Sequence, residues 1–207
     1  MLRTIVGTGK TFVTSKVIDH VKEAIESSSN QEGFAYFYFN QNEDERKEPV
    51  YAVRSWVRQL AALSRSPSKL RGLQKGNRKT HKEPDLSFDE WNIVLLDLVE
   101  SYPRATLILD ALDECDNGYR SQLFEVIDLL FCRSKTPLKL FISSRTDGNL
   151  KNSFHSHLSI VIHPGNNQED IRIFIQKEIT AHSRWEKMSV DLREHILKVL
   201  TTRSNGM

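Results

Sequence analysis

The chain has 207 residues, the size of one domain with a small appendage, and its 39% hydrophobic and 27% charged residues are an ordinary balance for a globular protein. No run approaches the roughly 18 apolar residues of a membrane span, and the opening MLRTIVGTGK lacks the apolar segment of a secretory signal. A formal net charge of +2 excludes a strong overall pull toward nucleic acid. Only Cys115 and Cys132 are present, which excludes a disulfide framework, so a reducing, cytoplasmic setting is expected.

In chain order, the first feature is TIVGTGKT, Thr4–Thr11. It fits the phosphate-loop pattern G-x-x-x-x-G-K-[ST] with threonine in place of the first glycine. Gly7 and Gly9, with Thr8 between them, allow backbone N–H groups to curl around phosphate oxygens, and the following helix aims its partly positive N-terminus at the same space. Lys10 would set its ammonium near the outer phosphates, and Thr11 its hydroxyl on magnesium. A glycine turn before an ordinary helix is the plain alternative. Val13, Val17, Val21 and Ile25 recur every four residues and predict a helix from Lys10 to about Ser27. FAYFYF, Phe34–Phe39, reads as a short buried strand, and Val53, Trp56, Val57, Leu60 and Leu63 as the stripe of a second helix.

Between Arg65 and Lys82 lie seven basic residues and no acid. A solvated loop is the expected reading, since Pro67, Gly72, Gly76 and Asn77 break any helical face and no aromatic is interleaved for base stacking; a nucleic-acid or anionic-lipid patch is the alternative. Ser87 and Glu90 then form a capping-box signature ahead of a helix with Trp91, Val94, Leu95, Leu98 and Val99 on its apolar stripe.

ATLILD is a compact apolar strand ending at Asp110, with Asp113 and Glu114 close behind. A buried strand that delivers a carboxylate at its C-terminal end is how a parallel sheet builds a ligand crevice. Asp110 is placed to hold magnesium through water, and Asp113 or Glu114 could polarise a water for hydrolysis. The alternative is an acidic strand-to-helix turn. Leu123, Val126, Ile127, Leu130 and Phe131 mark the next helix, and strands are expected at Leu138–Ser144 and Leu158–Ile162. The first of these ends in Ser143, Ser144 and Arg145, a cation that could reach a terminal phosphate or simply sit at a strand exit. Two helices follow, through Ile171, Phe174, Ile175 and Ile179, and through Leu192, Ile196, Val199 and Leu200. Strands alternating with helices predict an α/β fold with a parallel sheet covered on both faces.

Taken in order, GTGKT, FAYFYFN, VRSWVRQLA, LILDALDECD, LFISSRTD and NNQEDIRIFI resemble NACHT-type NTPases. The chain is most similar to the fungal group with a nephrocystin-3-like N-terminal domain. The resemblance spans nearly the whole chain, and DALDECD with ISSR is its most specific part. It implies a STAND-class signalling ATPase or GTPase, built as a P-loop NTPase three-layer sandwich with sheet order 5-1-4-3-2. By motif, Lys10 and Thr11 correspond to the Walker A pair, Asp110 to the Walker B aspartate, Asp113 and Glu114 to an extra acidic pair, and Arg145 to a sensor arginine. Asn167, Asp170 and Ile171 match the segment where a helical part begins. The division implied is a P-loop core over 1–165 and the start of a helical subdomain over 166–207.

The departures from that pattern are at the ends. Only Met1, Leu2 and Arg3 precede Thr4, so the first strand is expected to be truncated, and the chain is expected to be a trimmed core or a misplaced start. The implied function is a switch that binds ATP or GTP with magnesium, hydrolyses it slowly and couples phosphate state to association with other domains or copies of itself. No specific nucleic acid and no membrane are expected as partners. The alternative is a degenerate scaffold that keeps the fold without nucleotide affinity, and a small-molecule P-loop kinase ranks last because no acceptor or lid motif is recognisable. His155 and His157 lack a partner ligand at metal spacing, Ser143 and Ser144 lack a hydrolase elbow, and the acidic neighbours of Cys115 should raise its thiol pKa.

Overall fold

The computed structural model describes residues 1–4, 9–28, 31–63, 86–145, 158–163, 166, 168–181 and 185–204. Gly7, Thr8, the basic segment 65–82, His155, His157 and Asn167 lie outside the described residues. By its internal contacts the chain divides into two compact units, Val13–Ser143 and a second made of Met1–Phe12 with Ser144–Met207.

The Val13–Ser143 unit is an α/β layer. Strands β2 (Gly33–Tyr38), β3 (Ala105–Asp110) and β4 (Leu138–Arg145) run parallel in that order, with Gly33 opposite Ala105 and Ala105 opposite Leu138. With strands on both sides, β3 is buried nearly throughout, which is why it reads as an apolar run rather than an alternating one. Helix α1 (Lys10–Ser27) begins and ends where the periodicity placed it, but its buried line is centred one residue later. Thr14 and Ile18 are fully buried, while Val17, Val21 and Ile25 pack alongside against Ile18, Phe34 and Ile108.

Helix α2 (Pro49–Leu63) buries Val53, Trp56, Val57 and Leu60, while Leu63, the last residue of the expected stripe, is exposed. Helix α3 (Phe88–Val99) starts with the predicted box: the Ser87 hydroxyl accepts the Glu90 N–H at 3.3 Å and the Glu90 carboxylate accepts the Ser87 N–H at 2.8 Å. Helix α4 (Arg120–Arg133) buries Leu123, Val126, Ile127 and Leu130 and leaves Phe131 exposed. Gly33 is required by close approach, since a Cβ there would stand 2.8 Å from the Tyr102 ring and 3.1 Å from Leu60. The Tyr102 hydroxyl in turn donates to the Leu60 carbonyl, tying the segment before β3 to α2.

In the other unit, β1 (Leu2–Thr4) pairs parallel with β5 (Ile160–Ile162), Leu2 opposite Ile160 and Thr4 opposite Ile162. Among the described residues β1 and β5 have three residues each. Backbone bonds extend the pairing by one residue, the Ile160 N–H donating to Met1 at 2.8 Å. Helices α5 (Gln168–Thr180) and α6 (Val190–Ser204) pack on each other, with Trp185 buried and the Arg193 guanidinium 5.6 Å from its ring. The parallel α/β class expected from the sequence is the one the chain has, and β2-β3-β4 and β1-β5 are each consecutive runs of the order 5-1-4-3-2.

Candidate functional site

Asp110 is the last residue of β3 and only 2% exposed. A carboxylate so buried is costly unless donors meet it. Two hydroxyls do so: Thr14 Oγ1, from α1, donates to Asp110 Oδ1 at 2.5 Å, and Ser143 Oγ, from β4, donates to the same oxygen. Ser143 Oγ also accepts the Ala111 N–H at 3.1 Å, so one hydroxyl fixes both the carboxylate and the backbone after it. Thr14 stands in none of the motifs, and Ser143 stands in ISSR without a role assigned to it there. The signal that could have found Thr14 is a lone hydroxyl four residues before Ile18 on an apolar helix face; for Ser143 it is a hydroxyl inside a buried strand. The charge of Asp110, after burial itself, holds the Tyr38 phenol above its ordinary pKa.

The chain after Asp110 turns through Ala111, a non-glycine residue in the left-handed region at φ 54° and ψ 47°. Strain of this kind persists only where the surroundings over-determine it. Here the turn Leu112–Glu114 is closed by the Glu114 N–H on the Ala111 carbonyl at 2.8 Å, and the Asp116 N–H reaches the Lys47 carbonyl at 2.8 Å. Arg120, buried despite its charge, donates from Nη2 to the carbonyls of Asp113 and Cys115, both at 3.0 Å. Its role was not legible in the motifs. The Glu114 carboxylate accepts the Gln41 N–H at 3.4 Å, and both Asp113 and Glu114 are half-buried. Cys115 is buried, and its thiol is pushed up to about 12, chiefly by burial, with Arg120 pulling it down and Asp116 adding to the rise. The expected direction holds, and burial rather than acidic neighbours is its main cause.

The phosphate-loop residues that are described lie at the head of α1. Gly9 has φ +78°, a conformation that favours glycine. Lys10 opens the 18-residue helix, whose first turn carries no acid to oppose an anion. Lys10 is half-buried and Thr11 exposed; Thr11 precedes Thr14 by one turn on the same face of α1. Arg145, half-buried, is the last residue of β4. Gly9, Lys10, Thr11 and Arg145 thus belong to one unit, and the acids Asp110, Asp113 and Glu114 come together at the end of β3 in the other.

Among the described residues no group of three or more His, Cys, Asp or Glu could hold a metal ion unaided. What is present suits a hard cation that takes most of its ligands from elsewhere: a fixed carboxylate beside hydroxyl oxygens. The left-handed Gly9 and the unopposed helix start suit an anion. Each unit thus carries donors of its own kind, a carboxylate suited to a hard cation in one and a helix start suited to an anion in the other. No described helix is long and apolar enough to cross a membrane.

Comparison with known proteins gives the fold and the family. The chain is similar in structure to the Orc1 protein of Aeropyrum pernix, solved in complex with DNA, with a TM-score of 0.52 at 17% identity over 86% of this chain. AMPPCP-bound DnaA from Aquifex aeolicus matches with a TM-score of 0.44 at 14% identity over 95% of this chain. The chain spans 43% of the Orc1 chain and 49% of the DnaA chain, less than half of either. No curated protein matches it. At 17% identity the Orc1 likeness speaks for the fold alone. Residues 1–145 match the family model described as "Nephrocystin 3, N-terminal", and the chain belongs to that family.

Proposed function

We propose that the chain is a nucleotide-binding module, a switch of the NACHT/STAND kind that takes ATP or GTP with magnesium and hydrolyses it slowly. The observation that carries this reading is the buried carboxylate of Asp110, fixed at a parallel strand's C-terminal end by Thr14 and Ser143.

In this reading Gly7, Thr8 and Gly9 wrap the phosphates with backbone N–H groups, and Lys10 neutralises the outer ones. Thr11 and Asp110 hold magnesium, whose chemistry is to neutralise charge on the phosphate oxygens. Asp113 or Glu114 orients and polarises a water, and Arg145 meets the terminal phosphate. The turn that carries both acids is held by Arg120, so their geometry is set before a ligand arrives. The P-loop core covers 1–165, with a helical subdomain beginning at 166. Its output is association with other domains or with copies of itself in the cytoplasm, with no specific nucleic-acid or membrane partner.

Titration of a fluorescent nucleotide, with and without magnesium, tests the binding. Saturable binding that strengthens with magnesium is expected. Its absence at millimolar nucleotide, in a protein shown to be folded, would overturn the reading in favour of a scaffold that has lost nucleotide affinity. Hydrolysis is tested separately, through phosphate release that Glu114→Gln or Asp113→Asn diminishes while binding persists.

A further inference from the structure

None of the residues lining a polar pocket of about 450 Å³ in the Val13–Ser143 unit has a role in the proposed nucleotide site. Tyr51, Arg54, Ser55 and Arg58 contribute one side of it, from α2. Their spacing of three and four residues puts them on one face, opposite the buried Ala52, Val53, Trp56, Val57 and Leu60. Arg46 comes from the short turn Asp44–Arg46, and Phe37 from β2.

Arg46 and Arg54 are held in place by described contacts. Arg46 donates from Nε to the Tyr38 carbonyl at 3.2 Å and from Nη1 to both oxygens of Glu43 at 3.4 Å. Arg54 lies with its Cζ 5.5 Å from the Trp91 ring and 5.9 Å from the Tyr51 ring. Aromatic rings engage the faces of a guanidinium and leave its N–H donors in the plane, where they match phosphate oxygens in pairs. Arg58 stands one turn further along the same face. The Ser55 hydroxyl accepts from Gln59 Nε2 at 3.0 Å, which turns its own proton toward another acceptor. Glu43 and Glu45 also line the pocket, so three cations face two acids. That surplus is small, and selectivity then rests on directed donors rather than on a broad positive field.

We propose that this pocket binds a phosphorylated small molecule. Arg54 and Arg58 grip the phosphate, Ser55 donates to it, and the Phe37 and Tyr51 rings meet the organic part. The proposal goes beyond the nucleotide reading and uses none of its residues.

The test is NMR of the arginine Nε–H resonances in the full chain, at ionic strength matched with chloride. The probes are phenyl phosphate, inorganic phosphate and a phosphotyrosine peptide. Phenyl phosphate should shift the Arg54 and Arg58 signals and bind more tightly than inorganic phosphate and at least as tightly as the peptide. Its affinity should fall at least about tenfold in Arg58→Ala, which removes an exposed side chain, and also in Arg54→Lys, which keeps the charge without the fork. Lys10→Ala should leave it unchanged. The proposal is overturned if the two arginines do not shift, if Arg58→Ala binds as wild type, or if only inorganic phosphate or only the peptide binds. Loss of binding in Lys10→Ala overturns it as well, because the probe would then be reporting the proposed nucleotide site.

Discussion

Between Val13 and Ser143, helices and strands meet through side chains with no exposure at all, Trp56, Leu60, Leu95 and Leu107 among them. In α5 and α6 no described side chain is fully buried, and Phe174, at 62% exposed, stands in the middle of its predicted apolar stripe. Both regions carried helical periodicity of similar clarity in the sequence. The difference teaches that periodicity reports which residues share a face, while burial depends on what arrives to cover that face.

The contrast is broken or sharpened first by truncating one leucine on each side. Leu107→Ala, in β3, should cost about 2–5 kcal/mol, and Leu200→Ala, in α6, should stay within about 0.5 kcal/mol. Urea unfolding measures both, and equal losses would dissolve the distinction. Next in size is Ser143→Ala, which removes a donor from the Asp110 carboxylate and the acceptor of the Ala111 N–H. A loss of about 1–3 kcal/mol is expected, because buried groups are left with fewer partners. Ser87→Ala, at the start of α3, should cost about 1 kcal/mol by removing the helix cap. A melt indistinguishable from wild type would show that the cap contributes nothing there.

The smallest effect near neutral pH concerns the two thiols. Cys132 is exposed and Cys115 buried, with its thiol pushed up to about 12. At pH 8 a thiol reagent should modify Cys132 readily and Cys115 only as the unit unfolds. The same shift has a stability consequence with a definite sign. Above the ordinary thiol value the unfolded chain gives up this proton while the folded one keeps it, so stability is whole below that value and falls as pH climbs toward 12. Rapid labelling of both cysteines in the folded protein would contradict the burial on which this rests.

Much of this is legible in the sequence. α1 runs from Lys10 to Ser27 as its repeat and glycine punctuation required, and the Ser87–Glu90 box is local chemistry that needs no partner element. β3 could be read because a strand flanked on both sides is apolar throughout. What escaped depends on distant segments meeting. Thr14 and Ser143 are separated from Asp110 by 96 and 33 positions, and nothing local says that two hydroxyls will share one carboxylate oxygen. Arg120 belongs to no motif, yet its guanidinium reaches back to hold the acidic turn. The left-handed Ala111 was invisible because alanine gives no warning of it. Phe131 and Leu63 failed in the opposite way, apolar residues on a correct stripe that no described element covers.

The central claim, that this chain takes a nucleoside triphosphate with magnesium at the start of α1, is tested most directly by thermal melts of wild type and Lys10→Ala with and without Mg–nucleotide. A ligand that binds only the folded state raises its melting temperature by an amount that grows with the logarithm of ligand concentration over the dissociation constant. Wild type should gain several degrees and Lys10→Ala almost none, with equal melting temperatures in the absence of ligand. A folded wild type that gains nothing, or a variant that gains as much, would contradict the account.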